Sequence, residues 1–298
     1  MKVRLLGLGA VGAPLAIRLD PVCDFAVLLS EDRIPRYRAQ GTTVNGVRHD
    51  FRIADGDEDD VDLIILACKN TDLTAALPLV DRHAGAGTAL MSLLNGIDSE
   101  RVLEERYGEG RVIYSFITHL SSVRQGREID LFSPRGGLIR FNEKDSVPVQ
   151  RTLAVDELFT QAGIWHELSS DIIHDIWWKF AFNICINSLS AVMGLDYGMM
   201  NGNVPFYRLV RMLYSEIRRV AAAEGVRLDD GDEERCFAVL AGMDGVGKTS
   251  MLQDLEAGRQ TENRYFAGTL GALARAHSIP VPITDFVFNL VAAAEEAG

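Results

Sequence analysis

Features that would assign the chain to a secreted, membrane or disordered class are scarce in this sequence. Cysteine occurs four times in 298 residues, without a CxxC pair, so neither a disulfide framework nor a cysteine-based zinc site is indicated. No apolar run approaches the ~20 residues that cross a bilayer, and the first apolar stretch is too short for a signal peptide. These absences predict a cytoplasmic protein without membrane contact and with reduced thiols. The cysteines are Cys23, Cys68, Cys185 and Cys236.

Positive charge is also in short supply. The chain has 30 Lys and Arg against 42 Asp and Glu, a formal net charge of −12. A field of that sign repels phosphate backbones, and no basic patch offsets it, so no nucleic-acid partner is expected. The sequence contains no HExxH, no paired metal-ligand histidines and no GxSxG, so metallohydrolase and serine-hydrolase chemistry has no support and no metal is expected.

The sequence begins with a strand, a glycine turn and a helix. Residues 2–6 are strongly β-forming, residues 7–12 read GLGAVG, and residues 13–19 have helical spacing. A second strand is predicted at 25–29. A GxGxxG turn between a strand and a helix is the context in which this motif binds the pyrophosphate of a dinucleotide.

Each glycine of this turn has an expected physical role. Gly7 makes the tight turn, Gly9 lets the backbone approach a pyrophosphate, and Gly12 lets the helix pack on the strand. The N–H groups at the start of the helix then face the phosphate charge. The predicted cofactor-binding residues here are Gly7, Leu8, Gly9, Ala10, Val11 and Gly12.

Further apolar runs at 61–67, 88–94 and 111–115 predict strands of a parallel sheet buried on both faces. Ligands of such sheets bind at the carboxyl ends of the strands. Lys69 and Asn95 follow two of these runs and are therefore candidate cofactor-binding residues, although each is also an ordinary loop residue when taken alone.

The end of the second strand bears on the choice of nicotinamide cofactor. An acidic residue there bonds the 2′-hydroxyl of NAD, whereas a basic one accepts the 2′-phosphate of NADP. The sequence has Glu31, which favours NAD, beside Ser30 and Arg33, which favour NADP. The signal is mixed.

From about residue 171 the strand signals end and long helical patterns follow. In the segment 176–187 only Lys179, Asn183 and Asn187 are polar, and their spacing of four puts them on one stripe of a helix. The other faces are apolar, so the helix is expected to be buried and its stripe to line a cavity. A narrow solvent-facing stripe is the alternative. A desolvated lysine has a lowered pKa, which suits a general acid near neutral pH.

A second glycine-rich segment, 242–249, matches GxxxxGK[ST] letter for letter, and residues 236–240 resemble the strand that precedes a P-loop. Only about fifty residues follow, however, and they show no further strand that could supply a magnesium-binding aspartate. We therefore expect the match to be accidental.

Taken together, these residues resemble the ketopantoate reductase (2-dehydropantoate 2-reductase) family. The resemblance runs nearly end to end and includes GLGAVG, Cys68-Lys69, Leu94-Asn95-Gly96, the Lys179/Asn183/Asn187 helix, SMLQD at 250–254 and RQTE at 259–262. It implies an α/β Rossmann dinucleotide-binding domain at 1–168. An all-α substrate-binding domain, of the type found in 6-phosphogluconate dehydrogenase, would follow at 169–298.

The resemblance also implies an activity, the NADPH-dependent reduction of a 2-oxo acid, 2-dehydropantoate, to the 2-hydroxy acid, with NADH as a second cofactor. Lys179 would be the general acid, and a homodimer is compatible with the family. The implied substrate-binding residues are Asn95, Lys179, Asn183, Asn187 and Ser250, and the implied cofactor-binding residues beyond the glycine turn are Lys69, Asn95 and Glu262.

The sequence departs from the family pattern in the substrate half. A substrate-binding asparagine of the family falls at Tyr197, and the usual Asn-Pro is Asn187-Ser188. Two alternatives therefore stay open, a reductase of a different branched or amino-acid-derived 2-oxo acid and a non-catalytic dinucleotide sensor that would not need Lys179. The apolar segment 286–291 is expected to belong to the core rather than to a dimer face.

Overall fold

A computed structural model describes residues 1–54, 56–58, 60–126, 128–133 and 135–297 of the chain. The chain forms two compact units. The first comprises Met1–Asn95 and Ser99–Ile173, and the second comprises Gly96–Asp98 and His174–Gly298. The domain limits expected from the sequence, 1–168 and 169–298, stay a prediction, because compactness does not by itself define where a domain ends.

The first unit is an α/β structure. Its strands are β1 (Lys2–Leu6), β2 (Asp24–Leu28), β3 (Thr42–Val44), β4 (Val47–His49), β5 (Leu63–Leu66), β6 (Ala89–Ser92), β7 (Val112–Thr118), β8 (Ser122–Gln125), β9 (Glu128–Leu131), β10 (Leu138–Asn142) and β11 (His166–Leu168). Its helices are α1 (Gly12–Leu19), α2 (Ile34–Gln40), α3 (Asn70–Asp81), α4 (Ser99–Tyr107) and α5 (Gln150–Gln161).

The main sheet has seven strands in the order β11-β10-β7-β6-β5-β1-β2. Within this sheet the neighbouring strands β2, β1, β5, β6 and β7 are parallel, and β10 pairs antiparallel with β7. Since β2 and β5 lie on opposite sides of β1, the strand order reverses at β1, and the crevice at its carboxyl end is where open α/β sheets bind ligands. All four residues of β5 are fully buried, as its apolar sequence predicts.

A second sheet, of order β4-β3-β9-β8, covers α1. Ala13 of α1 packs with Val44 of β3 and Ile129 of β9 in a small apolar cluster. This sheet is not predicted from the sequence, because strands of three or four residues show too little alternation to be recognised. The cluster fixes α1, whose amino end carries the glycine turn.

The amino end of the main sheet is held by a buried ion-pair network. The Arg4 side chain is fully buried, and its Nε and Nη2 atoms lie 2.6 and 2.7 Å from the two carboxylate oxygens of Glu58. Lys2 and His83 also contact Glu58, at 3.0 and 3.1 Å. These contacts join β1 to the loop before β5, on the edge opposite the glycine turn.

The second unit is helical, as expected. Its elements are α6 (Ile172–Phe182), which begins in the first unit, a π-helix (Asn183–Ser188), α7 (Leu189–Met193), α8 (Tyr197–Met200), α9 (Val204–Ala223), α10 (Asp230–Ala241), α11 (Ser250–Glu256), a 3-10 helix (Asn263–Tyr265), α12 (Ala267–Ala276) and α13 (Pro282–Ala297). Within the described part of the chain, no helix is long and apolar enough to cross a bilayer.

Local sequence explains where several of these helices begin. The Asn203 side chain accepts from the Phe206 N–H at the start of α9, and Asp229 and Asp232 form a capping box at α10. The expectation for 286–291 in α13 was only half right: Val287 and Val291 are buried, but Phe286 is 63% exposed, because this helix has one buried face.

Candidate active site

The glycine turn after β1 has no room for a side chain at Gly7 or at Gly12. Gly7 has φ of +103°, and a Cβ atom there would lie 2.6 Å from the Ala67 carbonyl oxygen at the end of β5. A Cβ on Gly12 would lie 1.9 Å from the Gly7 carbonyl oxygen. The turn therefore packs closely against the end of β5, and α1 packs closely against the turn, which only glycine allows at these two positions.

The ends of β5 and β6 lie side by side next to this turn. Lys69, the residue before α3, has an extended backbone and is exposed. The neighbouring Asn70 is buried, and its Nδ2 atom donates to the Asn95 carbonyl oxygen, 2.8 Å away. The structure thus brings Gly7, Lys69 and Asn95 to one edge of the sheet. Asn70 was missed by the sequence analysis, although an amide directly after a buried strand could have drawn attention to it.

The residues that bear on cofactor choice follow β2, at the outer edge of the parallel strands. Ser30, Glu31 and Arg33 are all exposed, in a turn closed by the Arg33 N–H on the Ser30 carbonyl oxygen at 2.9 Å. A hydrogen bond from Ser30 lowers the pKa of Asp32 below its usual value. Ser30 and Glu31 lie just after β2, where this type of fold contacts the 2′-hydroxyl or 2′-phosphate of the cofactor.

In the second unit, the polar stripe crosses from α6 into the π-helix. A π-helix closes hydrogen bonds from i to i+5, so its turn is wider than that of an α-helix and residues four apart lie nearly above one another. Accordingly, the Asn187 Nδ2 and Asn183 Oδ1 atoms are 3.4 Å apart. Both asparagines are buried, at 7% and 2% exposure, so the alternative of a solvent-facing stripe does not hold for them.

One atom of this stripe has no hydrogen-bond partner among the described residues, the buried Asn183 Nδ2. A buried amide N–H left unpaired costs about 1–3 kcal/mol, and surveys of known structures find few such groups. The donor is therefore available for an acceptor supplied by a ligand.

Lys179 lies one turn before Asn183 and keeps partial contact with solvent. Desolvation by the surrounding protein lowers its pKa to about 8, against a smaller opposing effect of Cys236 on α10 and of the Glu262 carboxylate. The Nζ atom also lies 5.2 Å from the centre of the Phe182 ring. The structure thus places Glu262, from a distant part of the sequence, within electrostatic reach of Lys179.

Ser250 is the first residue of α11 and is exposed. The residue before it, Thr249, accepts from the Leu252 N–H and donates to the Ser190 hydroxyl oxygen, 3.1 Å away on α7. Since α11 packs against both α7 and the π-helix, Ser250 lies on an element that borders the asparagine stripe.

The segment 242–249 is not a P-loop, as expected. The helix α10 precedes it where a P-loop needs a strand, so residues 236–240 are helical. Lys248 is paired with Glu256, with its Nζ atom 2.6 Å from the carboxylate. The segment instead packs against α8: the Gly198 N–H donates to the Gly245 carbonyl oxygen at 2.8 Å, and a Cβ on Gly247 would lie 3.0 Å from the Tyr197 ring.

Within the described residues, no three His, Cys, Asp or Glu side chains are grouped as metal ligands would be. Two features that the sequence analysis missed concern Lys179: the proximity of Cys236, and the anchoring of the segment that carries Glu262. Neither has a local signal, because both depend on contacts between helices far apart in the sequence.

Comparison with known proteins identifies a family and several relatives. The family model described as "Ketopantoate reductase PanE/ApbA" matches residues 3–141, and that of its C-terminal part matches residues 171–295. The 2-dehydropantoate 2-reductase of Halobacterium salinarum is 27% identical over 239 residues, covering 80% of this chain and 78% of that protein. The enzyme of the same name from Mesorhizobium japonicum is 26% identical, covering 98% and 97%.

Two solved structures share the fold. A D-mandelate dehydrogenase with NADH and anilino(oxo)acetate superposes with a TM-score of 0.87 at 22% identity, covering 100% of this chain and 99% of that one. A ketopantoate reductase from Ralstonia eutropha JMP134 gives 0.83 at 22% identity, with the same coverage. From the two family matches, which together span both units, we conclude that the chain belongs to the ketopantoate reductase family of nicotinamide-dependent oxidoreductases.

Proposed function

We propose that this enzyme reduces 2-dehydropantoate to the corresponding 2-hydroxy acid with NADPH, with Lys179 as the general acid. The observation that carries the proposal is the buried stripe below Lys179, in which the Asn183 Nδ2 atom has no partner among the described residues. A polyhydroxylated or oxo substrate supplies the acceptor that this donor needs. Asn187, next to it on the π-helix, would hold a second substrate oxygen.

The glycine turn has the motif and the strand–turn–helix setting of a dinucleotide site, and at Gly7 and Gly12 the protein backbone leaves no space for a Cβ. When bound, a nicotinamide supplies the hydride that the carbonyl carbon of a 2-oxo acid accepts. Residues 7–12 would hold the pyrophosphate, Lys69 and Asn95 at the neighbouring strand ends would contact the same molecule, and Glu262 would contact it near the nicotinamide. Asn95 would also touch the substrate.

Lys179 is suited to hold and release a proton at its Nζ atom. With its pKa lowered to about 8, the ammonium is present at neutral pH and gives up its proton more readily than an ordinary lysine. Its charge would stabilise the oxygen of the substrate as that oxygen becomes an alkoxide, and the proton would then pass to it. Ser250, on the element beside the stripe, would bind the carboxylate.

A second candidate substrate is an aromatic 2-oxo acid. The Tyr197 side chain packs against the loop before α11, where a Cβ on Gly247 would lie 3.0 Å from its ring. An aromatic ring beside the loop that leads to Ser250 would favour a flat apolar substrate over one with a hydroxylated side chain. D-mandelate, named for one structural neighbour, is the 2-hydroxy acid formed when such an aromatic 2-oxo acid is reduced.

For the cofactor, NADPH is the proposed choice and NADH the alternative, since Ser30 and Arg33 stand beside Glu31. The proposed compartment is the cytoplasm, where all four cysteines, which are free, would stay reduced. A homodimer is proposed by analogy with a dimeric ketopantoate reductase from Staphylococcus aureus.

The direct test is to mix the purified protein with NADPH or NADH and a panel of 2-oxo acids, and to follow the loss of cofactor absorbance. The panel includes 2-dehydropantoate, its unbranched analogue and phenylglyoxylate. Fastest turnover of 2-dehydropantoate with NADPH supports the proposal, and fastest turnover of phenylglyoxylate supports the aromatic alternative. Tight cofactor binding without turnover of any acid would instead indicate a dinucleotide sensor.

A further inference from the structure

Glu262 lies in a short segment whose flanking side chains are both buried. Thr261 and Asn263, on either side of it, are each only 2% exposed, while Glu262 keeps partial exposure. The Glu262 carbonyl oxygen accepts from the Tyr265 N–H at 2.9 Å, at the start of the 3-10 helix. The backbone that carries this carboxylate is therefore held from both sides.

The contacts that hold it come from α13. The Thr261 N–H and hydroxyl both donate to the Glu295 Oε1 atom, at 2.8 and 2.5 Å. The Asn263 Nδ2 atom donates to the Phe288 carbonyl oxygen at 2.9 Å, and the Asn263 N–H donates to the Thr261 hydroxyl oxygen at 3.1 Å. Glu295 thus stands at the end of a chain of hydrogen bonds that runs through Thr261 to the residue after Glu262.

We propose that Glu295 is a positioning residue of the active site, which fixes Thr261 so that the Glu262 carboxylate stays within electrostatic reach of Lys179. The effect of Glu295 on the pKa of Lys179 does not depend on the proposed function. The effect of Glu295 on catalysis rests on the proposed role of Lys179. A charge-assisted hydrogen bond to a carboxylate is about twice as strong as a neutral one, so a pair of them restrains the segment well.

Among the described residues, Cys236 and Glu262 are the ionisable groups that act on Lys179 from outside its own helix. Burial raises the pKa of Cys236 to about 12, so its thiol stays neutral between pH 6 and 10. The negative charge that favours the Lys179 ammonium over this range therefore comes from Glu262, and moving that carboxylate away lowers the pKa of Lys179.

The test measures the protonation of Lys179 without any substrate. A small acylating reagent modifies only the neutral amine, so the rate of Lys179 labelling against pH, followed by mass spectrometry, gives the midpoint of its titration. Four variants are compared with the wild type: Glu262→Gln, Glu295→Ala, Glu295→Gln and, as a matched control on the same helix, Glu296→Ala, which removes an exposed carboxylate.

We expect the midpoint to fall by about half a pH unit in Glu262→Gln and by a smaller amount in the same direction in Glu295→Ala. Glu295→Gln, which loses the charge but keeps an oxygen for Thr261, should stay near the wild type, as should Glu296→Ala. Equal shifts of the labelling midpoint in Glu295→Ala and Glu295→Gln would mean that only the charge of Glu295 matters, which contradicts the proposal. No shift of the midpoint in either variant would contradict it as well.

Thermal unfolding of each variant shows whether the fold is kept, and Thr261→Val, which removes the hydroxyl donor while preserving shape, provides a second route if Glu295→Ala does not fold. In an active enzyme, the descending limb of kcat against pH should move with the labelling midpoint. If the wild type turns over no 2-oxo acid, the proposed function fails, but the labelling experiment still decides the role of Glu295.

Discussion

Lys179 and Asn183 differ in how they meet solvent, and the difference suits the roles proposed for them. The asparagine is almost fully enclosed with an amide hydrogen unused among the described residues, so a ligand gains by pairing with it. The lysine is desolvated yet keeps an opening, so a proton can enter and leave. A group that binds a ligand by hydrogen bonding is more effective when it is shielded from water, whereas a general acid must be reprotonated from solvent after each turnover.

Replacing Lys179 by alanine should lower turnover by roughly 10²–10⁴-fold, the usual contribution of a general acid. Binding of NADPH, followed by its fluorescence, should hardly change, because the role proposed for the ammonium is at the substrate oxygen. Lys248→Ala is the matched control, because Lys248 is paired with Glu256 on the surface. This variant should retain full activity. A loss of cofactor binding equal to the loss of turnover would contradict the assigned role.

The lowered pKa of Lys179, about 8, fixes the pH dependence of both directions. With Lys179 as the proposed general acid, reduction would need the ammonium, so its rate should be flat below pH 8 and fall about tenfold per pH unit above it. Oxidation of the hydroxy acid needs the neutral amine and should rise through the same pH. Stopped-flow rates of hydride transfer from pH 6 to 10 measure this, and a reduction rate that increases above pH 8 would be incompatible with it.

For cofactor choice, Glu31→Arg should raise the ratio of kcat/KM for NADPH over that for NADH. The substitution removes a carboxylate that repels a 2′-phosphate and adds a guanidinium that binds one. The variant Glu31→Gln separates the two effects, since it removes the repulsion only and should give an intermediate ratio. An unchanged ratio in both variants would place the 2′ site elsewhere.

At the level of elements, the sequence predicts those strands and turns whose cause lies in neighbouring residues, and not those that depend on packing between distant segments. The strands β1, β5 and β6 and the turn at Gly7 follow from apolar runs and from a motif read along the chain. The π-helix does not, because polar residues spaced by four fit an α-helix equally well. Its wider turn becomes visible only when packing brings the two asparagine amides within 3.4 Å.

The candidate site follows the same division. Lys179 and its two asparagines could be found from spacing alone, and the family resemblance suggested Ser250 and Glu262. The coupling of Lys179 to Glu262, and the anchoring of Thr261 by Glu295, join segments far apart in the chain. No periodicity encodes such contacts, since they arise from how the helices pack.

The turn at the head of α1 allows a sharp test of element packing. Gly12→Ala would place a Cβ 1.9 Å from the Gly7 carbonyl oxygen, so α1 must move away from the turn. We expect a loss of about 1–3 kcal/mol in the free energy of unfolding and a rise of roughly tenfold or more in the Kd for NADPH. Gly87→Ala, where a Cβ would meet nothing within 4 Å, is the control and should change neither quantity.

At the scale of the whole molecule, the main sheet has chemically different edges. Its carboxyl edge presents the glycine turn, whereas its amino edge is tied by the network around Arg4 and Glu58. The Arg4 guanidinium and its neighbours lower the pKa of Glu58 from 4.5 to about 2. The network therefore stabilises the fold at neutral pH and loses this contribution as the carboxylate is protonated.

Glu58→Gln should destabilise the protein by about 3 kcal/mol at pH 7, because it leaves the buried Arg4 charge without its partner. The folded-state pKa of Glu58 is depressed, so the stabilisation is present above pH 4.5 and is lost as the pH falls towards 2. Urea unfolding at pH 7 and pH 3 should thus show a gap between wild type and variant that narrows at pH 3. Asp57→Asn, which breaks only an exposed pair with Arg82, should have a small effect at both.

The central place of β1 in the sheet has a consequence for how the protein is made. This strand leaves the ribosome before β2 and β5, the two strands that flank it. At the usual 5–20 residues per second, the 38 residues between the ends of β2 and β5 take about 2–8 s to be synthesised. During that interval β1 and β2 have been synthesised without β5, so the apolar edge of β1 that β5 covers in the folded protein still lacks its partner strand.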